Sequence, residues 1–388
     1  MKLQLALVFT VFFNYVIVAQ NLQLSQFAEI SVLTVGPGES LNDAFGHSGF
    51  RVKDLMFKLD IVFGYGQYDF DTPNFYLKFA QGKLNYLMSV HEFQDFYDSY
   101  VYYNRTIEEQ VLNLSSEQKQ ALFNQLATNY QPENRAYLYD FFYDNCATRI
   151  RDMVENTTQP KVVFNEPEGF KSKTFRALIH EHVNRNSWGS FGIDLALGSV
   201  IDRKATAHEQ MFLPKYIHEF FANATIGNQP LVRSSSIVYQ KKDVTSSSNF
   251  LLSPLMVFGI LAAFIMYITY SDYKKKARSK WLDVTLFSIT GIVGVLILLL
   301  WFATDHSATA YNYNLLWAFP LNLLVVAQLL KSDIKNWVKK YLRLLIIMLA
   351  LLTLHWIMGT QVYAIGLIPL LIALAIRYIY LVRFFKNV

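Results

Sequence analysis

"FFYDNCATRIRD", residues 141–152, holds the only cysteine of a 388-residue chain. Asp144 and Asn145 are both suited to cap a helix. Cys146, Ile150, Met153 and Val154 follow at i, i+4, i+7 and i+8. This spacing predicts a helix that begins at or just before Cys146 and buries one apolar face, with Arg149, Arg151 and Asp152 pointing elsewhere. A helix start aims unpaired N–H groups and the positive end of the dipole at the side chain placed there. Such surroundings favour thiolate, the nucleophilic form, and the same N–H groups suit a developing oxyanion. A lone cysteine is also often simply buried, and it is its place at the helix start that favours reactivity.

A nucleophilic thiol needs a base within reach. "DAFGHSGFRV", residues 43–52, puts His47 between the small residues Gly46 and Ser48 at the head of a β-like stretch, which leaves room for a cysteine helix to approach. His91, His180, His182, His208 and His218 are weaker candidates. "DIVFGYGQYDF" (60–70) reads as the partner strand of a hairpin. Period-two alternation there sets Tyr65, Gln67 and Asp69 on one face, three open candidates for the group that orients the base. "AEISVLTVGPG" (28–38) reads as a further strand, and "SSEQKQALFNQLATNY" (115–130) as a helix with Leu122, Phe123 and Leu126 on its apolar stripe. "IHEH" (179–182) lacks the i, i+4 spacing of a helical zinc pair and has no cysteine cluster beside it, so no metal and no cofactor is expected.

The compartment follows from composition. Hydrophobic residues make up 53% of the chain and the mean hydropathy is +0.20, which points to membrane spans. Residues 20–250 carry 21 Lys+Arg against 26 Asp+Glu, and residues 251–388 carry 13 against 4. The basic pI of 8.9 therefore arises in the hydrophobic part and does not argue for nucleic acid. Five candidate spans are expected at about 251–270, 282–303, 314–330, 342–359 and 361–382. Loops 271–280 and 331–340 carry five and four basic residues, whereas 304–312 and 359–361 carry none. The positive-inside rule then sets the N-terminal domain outside and the C-terminus in the cytoplasm, with Arg377 near enough to the cytoplasmic end to snorkel. Residues 1–19 read as a secretory signal, 20–232 as the outer domain and 233–249, serine-rich, as a linker to the membrane domain at 250–388.

With His47 and Cys146 in this order, the chain broadly resembles the circularly permuted papain-like families, which include the NlpC/P60-related and lecithin:retinol acyltransferase-like enzymes. More closely it resembles the Lnb-type lipoprotein N-acyltransferases of Gram-negative bacteria. The matching stretches are "FGHSGFRVKD", "NFYLKFAQGKLNY", "YDFFYDNCATRIRD", "FGIDLALGSVIDRKAT", "FLPKY" and "HSATAYNYNLLWAFPL". The resemblance implies an α+β papain-like periplasmic domain followed by an all-α membrane domain of five helices in the inner membrane. It also implies an activity: an acyl chain passes from a membrane phospholipid to Cys146 as a thioester, with His47 as base, and then to the α-amino group of a diacylated lipoprotein. Arg149, Arg151, His306 and Asn312 are candidates for lipid or phosphate contacts, and Asp202 and Arg203 are better explained as a structural ion pair. Two other readings use the same residues: a membrane-tethered cysteine peptidase or amidase acting on cell-wall peptide, and a non-enzymatic sensor in which Cys146 is dispensable.

Overall fold

Alternation builds the outer domain. In "EISVLTV" the even-numbered Ile30 and Val32 and the odd-numbered Leu33 and Val35 are all buried, so both faces of this strand are covered. It is β1 (Glu29–Val35) of an antiparallel sheet with β2 (His47–Asp54), β3 (Leu59–Gln67), β4 (Asn85–Glu92), β5 (Ile107–Leu112) and β6 (Ala136–Leu138). The computed structural model describes residues 22–243, 250–331 and 334–387; the expected signal sequence lies outside these residues. Between β3 and β4 runs α1 (Phe75–Gln81), and between β4 and β5 runs α2 (Phe93–Tyr102). Then come α3 (Ser116–Tyr130) and, after β6, α4 (Cys146–Thr157). Helix α3 opens with a capping box on Ser115, as the paired serines suggest.

The chain continues through β7 (Val162–Val163), α5 (Phe175–His180), α6 (Trp188–Ala196), α7 (Ala207–Gln210), α8 (Pro214–Asn223), β8 (Thr225–Ile226), β9 (Gln229–Pro230) and β10 (Val232–Tyr239). The large sheet has the order β10-β5-β1-β2-β3-β4-β6. Part of the stretch expected as a linker is therefore the edge strand β10, paired with β5. Its run of Arg and Ser suits an edge that faces water, which is why composition alone reads it as unstructured. Residues 244–249 of that stretch lie outside the described residues. One face of the sheet packs Phe50, Phe63 and Met88 against α3, α4 and α8. The other packs Leu33, Val35 and Val62 against Phe96 of α2.

In the second domain four helices are long and apolar enough to cross a membrane. They are α9 (Pro254–Lys275), α10 (Lys280–Phe302), α12 (Asn336–Ile357) and the span Ile365–Lys386, which contains most of α13 (Ile368–Asn387). The stretch 314–330, expected as a fifth continuous span, is interrupted instead. A 3₁₀ turn at Tyr313–Leu316 leads to Pro320, and the helix that follows, α11 (Asn322–Leu329), has only eight residues. Asn314, Trp317 and Ala318 of its irregular backbone are buried against protein. A Cβ added at Gly294 of α10 would come within 2.2 Å of the Ala318 carbonyl oxygen, so glycine admits the broken segment. At one end of that segment Asn312 reaches the outer domain; at the other, Arg278 in the α9–α10 loop donates to the Leu329 carbonyl at 2.6 Å.

Arg377 does not snorkel. It is fully buried, donating to Asp283 Oδ1 at 2.7 Å and Asp272 Oδ2 at 2.8 Å. Two carboxylates on neighbouring helices offer the cation a satisfied site, so pairing replaces exposure and ties α9, α10 and α13 together.

Candidate active site

Cys146 is the first residue of α4, and Asn145 is its cap. Asn145 Oδ1 accepts from the Ala147 and Thr148 amides at 2.8 and 2.9 Å. Its Nδ2 donates to the Phe141 carbonyl at 2.6 Å and the Phe212 carbonyl at 2.8 Å. One buried amide thus fixes the helix start and ties it to the turn before α8. Asn145→Ala is expected to cost about 1–2 kcal/mol for the cap alone. Thermal unfolding in detergent measures it, and Asn145→Asp, which keeps the acceptor, should recover the cap's share.

The Cys146 sulfur sits among the amides of Ser48, Ala147 and its own residue. Burial pushes the thiol up nonetheless, outweighing these N–H groups and the Arg105 guanidinium. The helix start alone would suggest a resting thiolate; the buried setting keeps the thiol protonated. His47 opens β2, one residue before the Ser48 amide, and its ring stacks on Tyr100 at 6.3 Å between centroids. A Cβ on Gly64 would lie 3.4 Å from His47 Nε2, so the glycine makes room for the ring. Burial, then the nearby Arg105 guanidinium, lowers the imidazole to about 4. Both groups are therefore neutral at rest.

His47 and Cys146 line one cavity of about 490 Å³. Its walls are mostly apolar, with Phe45, Tyr68, Phe79, Tyr86 and Ile193 among them, and Asp305–Ala308 of the membrane domain close one side. Here the two domains are stitched together. Ser307 Oγ donates to Asp140 Oδ2 at 2.9 Å, and the Asp305 amide donates to the Gln81 carbonyl at 2.8 Å.

The other candidates separate. Tyr65 lines the cavity, but its hydroxyl accepts from Asn129 Nδ2 at 3.0 Å. Gln67 is exposed at the end of β3, and Asp69 caps a turn through the Asp71 amide at 2.9 Å. Among the described residues no side chain hydrogen-bonds the His47 ring. Arg149 makes a bidentate pair with Asp144 and lies over the Tyr137 ring at 4.2 Å. Arg151 is buried rather than turned outward, because it donates to the His208 carbonyl at 2.9 Å while pairing with Asp152. Of the four lipid or phosphate candidates only His306 lines the cavity, its Nε2 held by the Phe79 carbonyl at 3.0 Å. Asn312 is buried, with Nδ2 donating to the Leu195 and Ala196 carbonyls.

Asp202 and Arg203 are both ion-paired, though not to each other: Asp202 pairs with Arg176 and Arg203 with Glu209. The histidines of "IHEH" part company, His180 to Asp194 and His182 to the Ala44 carbonyl. Asp152, Glu155 and His208 are spaced to suit a cation, but Arg151 and the His208–Glu155 pair already occupy them. Arg105 and Arg176 escaped the sequence reading. Each lies in an unremarkable local pattern, and only the fold brings one near enough to His47 and Cys146 to act on both electrostatically and sets the other at the domain junction.

Two family models match the chain. The Lnb N-terminal periplasmic domain matches residues 18–181, which include both His47 and Cys146. The Lnb transmembrane domain matches residues 245–387. No curated protein and no solved structure matches. The two matches cover most of the outer domain, with His47 and Cys146, and the whole helical bundle, in the order in which the fold joins them. The chain therefore belongs to the Lnb family, with a periplasmic N-terminal domain carried on a helical domain of the inner membrane.

Proposed function

We propose that this protein is a lipoprotein N-acyltransferase that works through a Cys146 thioester. The observation that carries the reading is a thiol at a capped helix start that shares one mostly apolar cavity with an imidazole, between the periplasmic and membrane domains. Cys146 Sγ attacks the ester carbonyl of a phospholipid while His47 takes the thiol proton. The amides grouped at the sulfur hold the tetrahedral oxyanion. Collapse expels the lyso-lipid alkoxide, which takes the proton back from His47. The α-amino group of a diacylglyceryl-cysteine then attacks the thioester, His47 removes its proton, and the thiol is restored.

The outer domain has the order of a permuted papain-like fold, and the C-terminus lies in the cytoplasm with the basic loops. Both substrates are lipids, and drawing an acyl chain into water costs about 0.8 kcal/mol per methylene. A site at the bilayer face avoids that cost. The apolar walls also keep water from the thioester, which favours transfer over the hydrolysis expected of a peptidase or amidase.

Mass spectrometry of lipoprotein N-termini tests the reading, in cells whose only N-acylation source is this protein. Triacylated N-termini are expected; diacylated ones throughout, with the protein present in the membrane, would reject it. The acid limb of kcat/KM should fall near pH 4 instead of 6.5, because the lowered imidazole stays unprotonated until the pH drops through about 4. A limb near 6.5 in a pH–rate series would argue against His47 as the base.

A further inference from the structure

Helix α1 buries none of its seven residues, although the sequence "FYLKFAQ" is mostly apolar. Tyr76 is 78% exposed and Leu77 57%, and Phe79 and the preceding Phe70 are exposed as well. An apolar cluster left open on one edge of a domain can mark a contact surface, and its position decides with what. The C-terminal turn of α1 is bonded through the Gln81 and Phe79 carbonyls to Asp305 and His306, just beyond the end of α10 at Phe302. At that helix end Trp301 stacks on Phe302 and lies 5.3 Å from the Tyr311 ring, an aromatic group of the kind that marks a membrane–water interface. Lys78 and Lys83 flank the apolar residues and form no ion pair among the described residues, which suits them to phosphate head groups.

The same cluster leads inward. Rings follow one another from Tyr76 to Phe75 at 5.3 Å, to Tyr68 at 5.8 Å, to Tyr86 at 5.5 Å and to Tyr139 at 4.4 Å. The last three line the cavity that holds Cys146. We propose that α1 lies in the outer-leaflet interface and forms the lip of a lateral portal, through which a phospholipid acyl chain leaves the bilayer for Cys146. The portal rests on the acyltransferase reading; the membrane contact of α1 does not.

A comparison surface lies on the same domain. Leu55, Met56 and Phe57 are exposed on the β2–β3 turn, at the opposite end of β2 from His47 and so about 20–25 Å from the cavity. Because Cys146 is the only cysteine, Cys146→Ser gives a clean background for single spin labels. Labels would be placed by Tyr76→Cys, Leu77→Cys and Phe57→Cys in full-length protein in phosphatidylethanolamine–phosphatidylglycerol vesicles. Power saturation should give a several-fold higher oxygen-to-nickel accessibility ratio at 76 and 77 than at 57. Equal, aqueous ratios at all three would overturn the membrane contact, as would shielding of 76 and 77 only when a diacylated lipopeptide is added.

For the portal, Tyr76→Ser with Leu77→Ser in the otherwise native chain should slow transfer from vesicle phospholipid by about tenfold or more. Transfer from a soluble short-chain acyl thioester should be unchanged. Labels in lipid together with native rates from both donors would overturn the portal alone. A native protein that uses neither donor would instead reject the acyltransferase reading, while the labels still decide where α1 lies.

Discussion

Cys146→Ala is expected to reduce acyl transfer by about 10⁴-fold or more while leaving the protein folded. The substitution removes one sulfur from a helix start whose geometry is set elsewhere, by Asn145 and Thr148. The cavity, the Ser48 amide and His47 all remain, but no atom is left to carry the acyl chain. On the proposed mechanism the cavity and the amides at the sulfur cannot compensate, because direct attack by a lipoprotein amine would require both lipids in the cavity at once. The measurement is the ratio of triacylated to diacylated lipoprotein N-termini, with the melting temperature as control. A complementary trap uses phospholipid without acceptor: the native protein should gain a hydroxylamine-labile acyl group that Cys146→Ala lacks. Triacylation at the native level from Cys146→Ala would leave the activity standing and remove the thioester.

Arg176→Met is expected to destabilise the protein by about 3–5 kcal/mol. Arg176 is fully buried and bonds Asp194 at 2.9 Å, Asp202 at 2.9 Å and the Leu197 and Gly198 carbonyls at 3.0 and 2.9 Å. Methionine fills similar space but takes the counter-ion from two buried carboxylates, leaving Asp194 with His180 and Asp202 with the Val362 amide, and removes the donor to two carbonyls. Burial already raises the Asp202 carboxyl against the pull of Arg176. The damage should spread to the domain junction, since Asp202 also accepts from the Val362 amide at 3.2 Å and the Asp194 carbonyl accepts from Asn314 at 2.9 Å. Arg203→Met gives the contrast: its pair with Glu209 is half-exposed and should cost under about 1 kcal/mol. Thermal unfolding in detergent and limited proteolysis at the junction read both. Equal melting temperatures for the two variants would show that the buried cluster does not hold the domains together.

Local pattern was enough for the pieces of the site. The run from Asn145 to Val154 carries its own cap and its own apolar face, and α4 begins where they say it should. The His47 strand and its hairpin partner were legible from alternation and turn residues. The charge of loops 271–280 and 331–340 and the length of the apolar runs marked the membrane domain. Those signals are local because caps, periodicity and hydropathy act over a few turns of chain.

Other features depend on what meets what. An edge strand of Arg and Ser looks like a linker until β5 supplies its hydrogen bonds. The apolar run around Pro320 reads as one continuous span, and it is Gly291 and Gly294 across the interface that let the broken backbone pack there. Arg377 near a helix end suggests snorkelling, and it is Asp272 and Asp283 on two other helices that draw it inside. The protonation of the site is decided in the same way. The chain by itself determined that a thiol would stand at a helix start and that an imidazole would head a strand. The tertiary structure decided that the thiol stays protonated and the imidazole neutral, because burial in a shared cavity is a property of the surrounding surfaces and outweighs the local dipole.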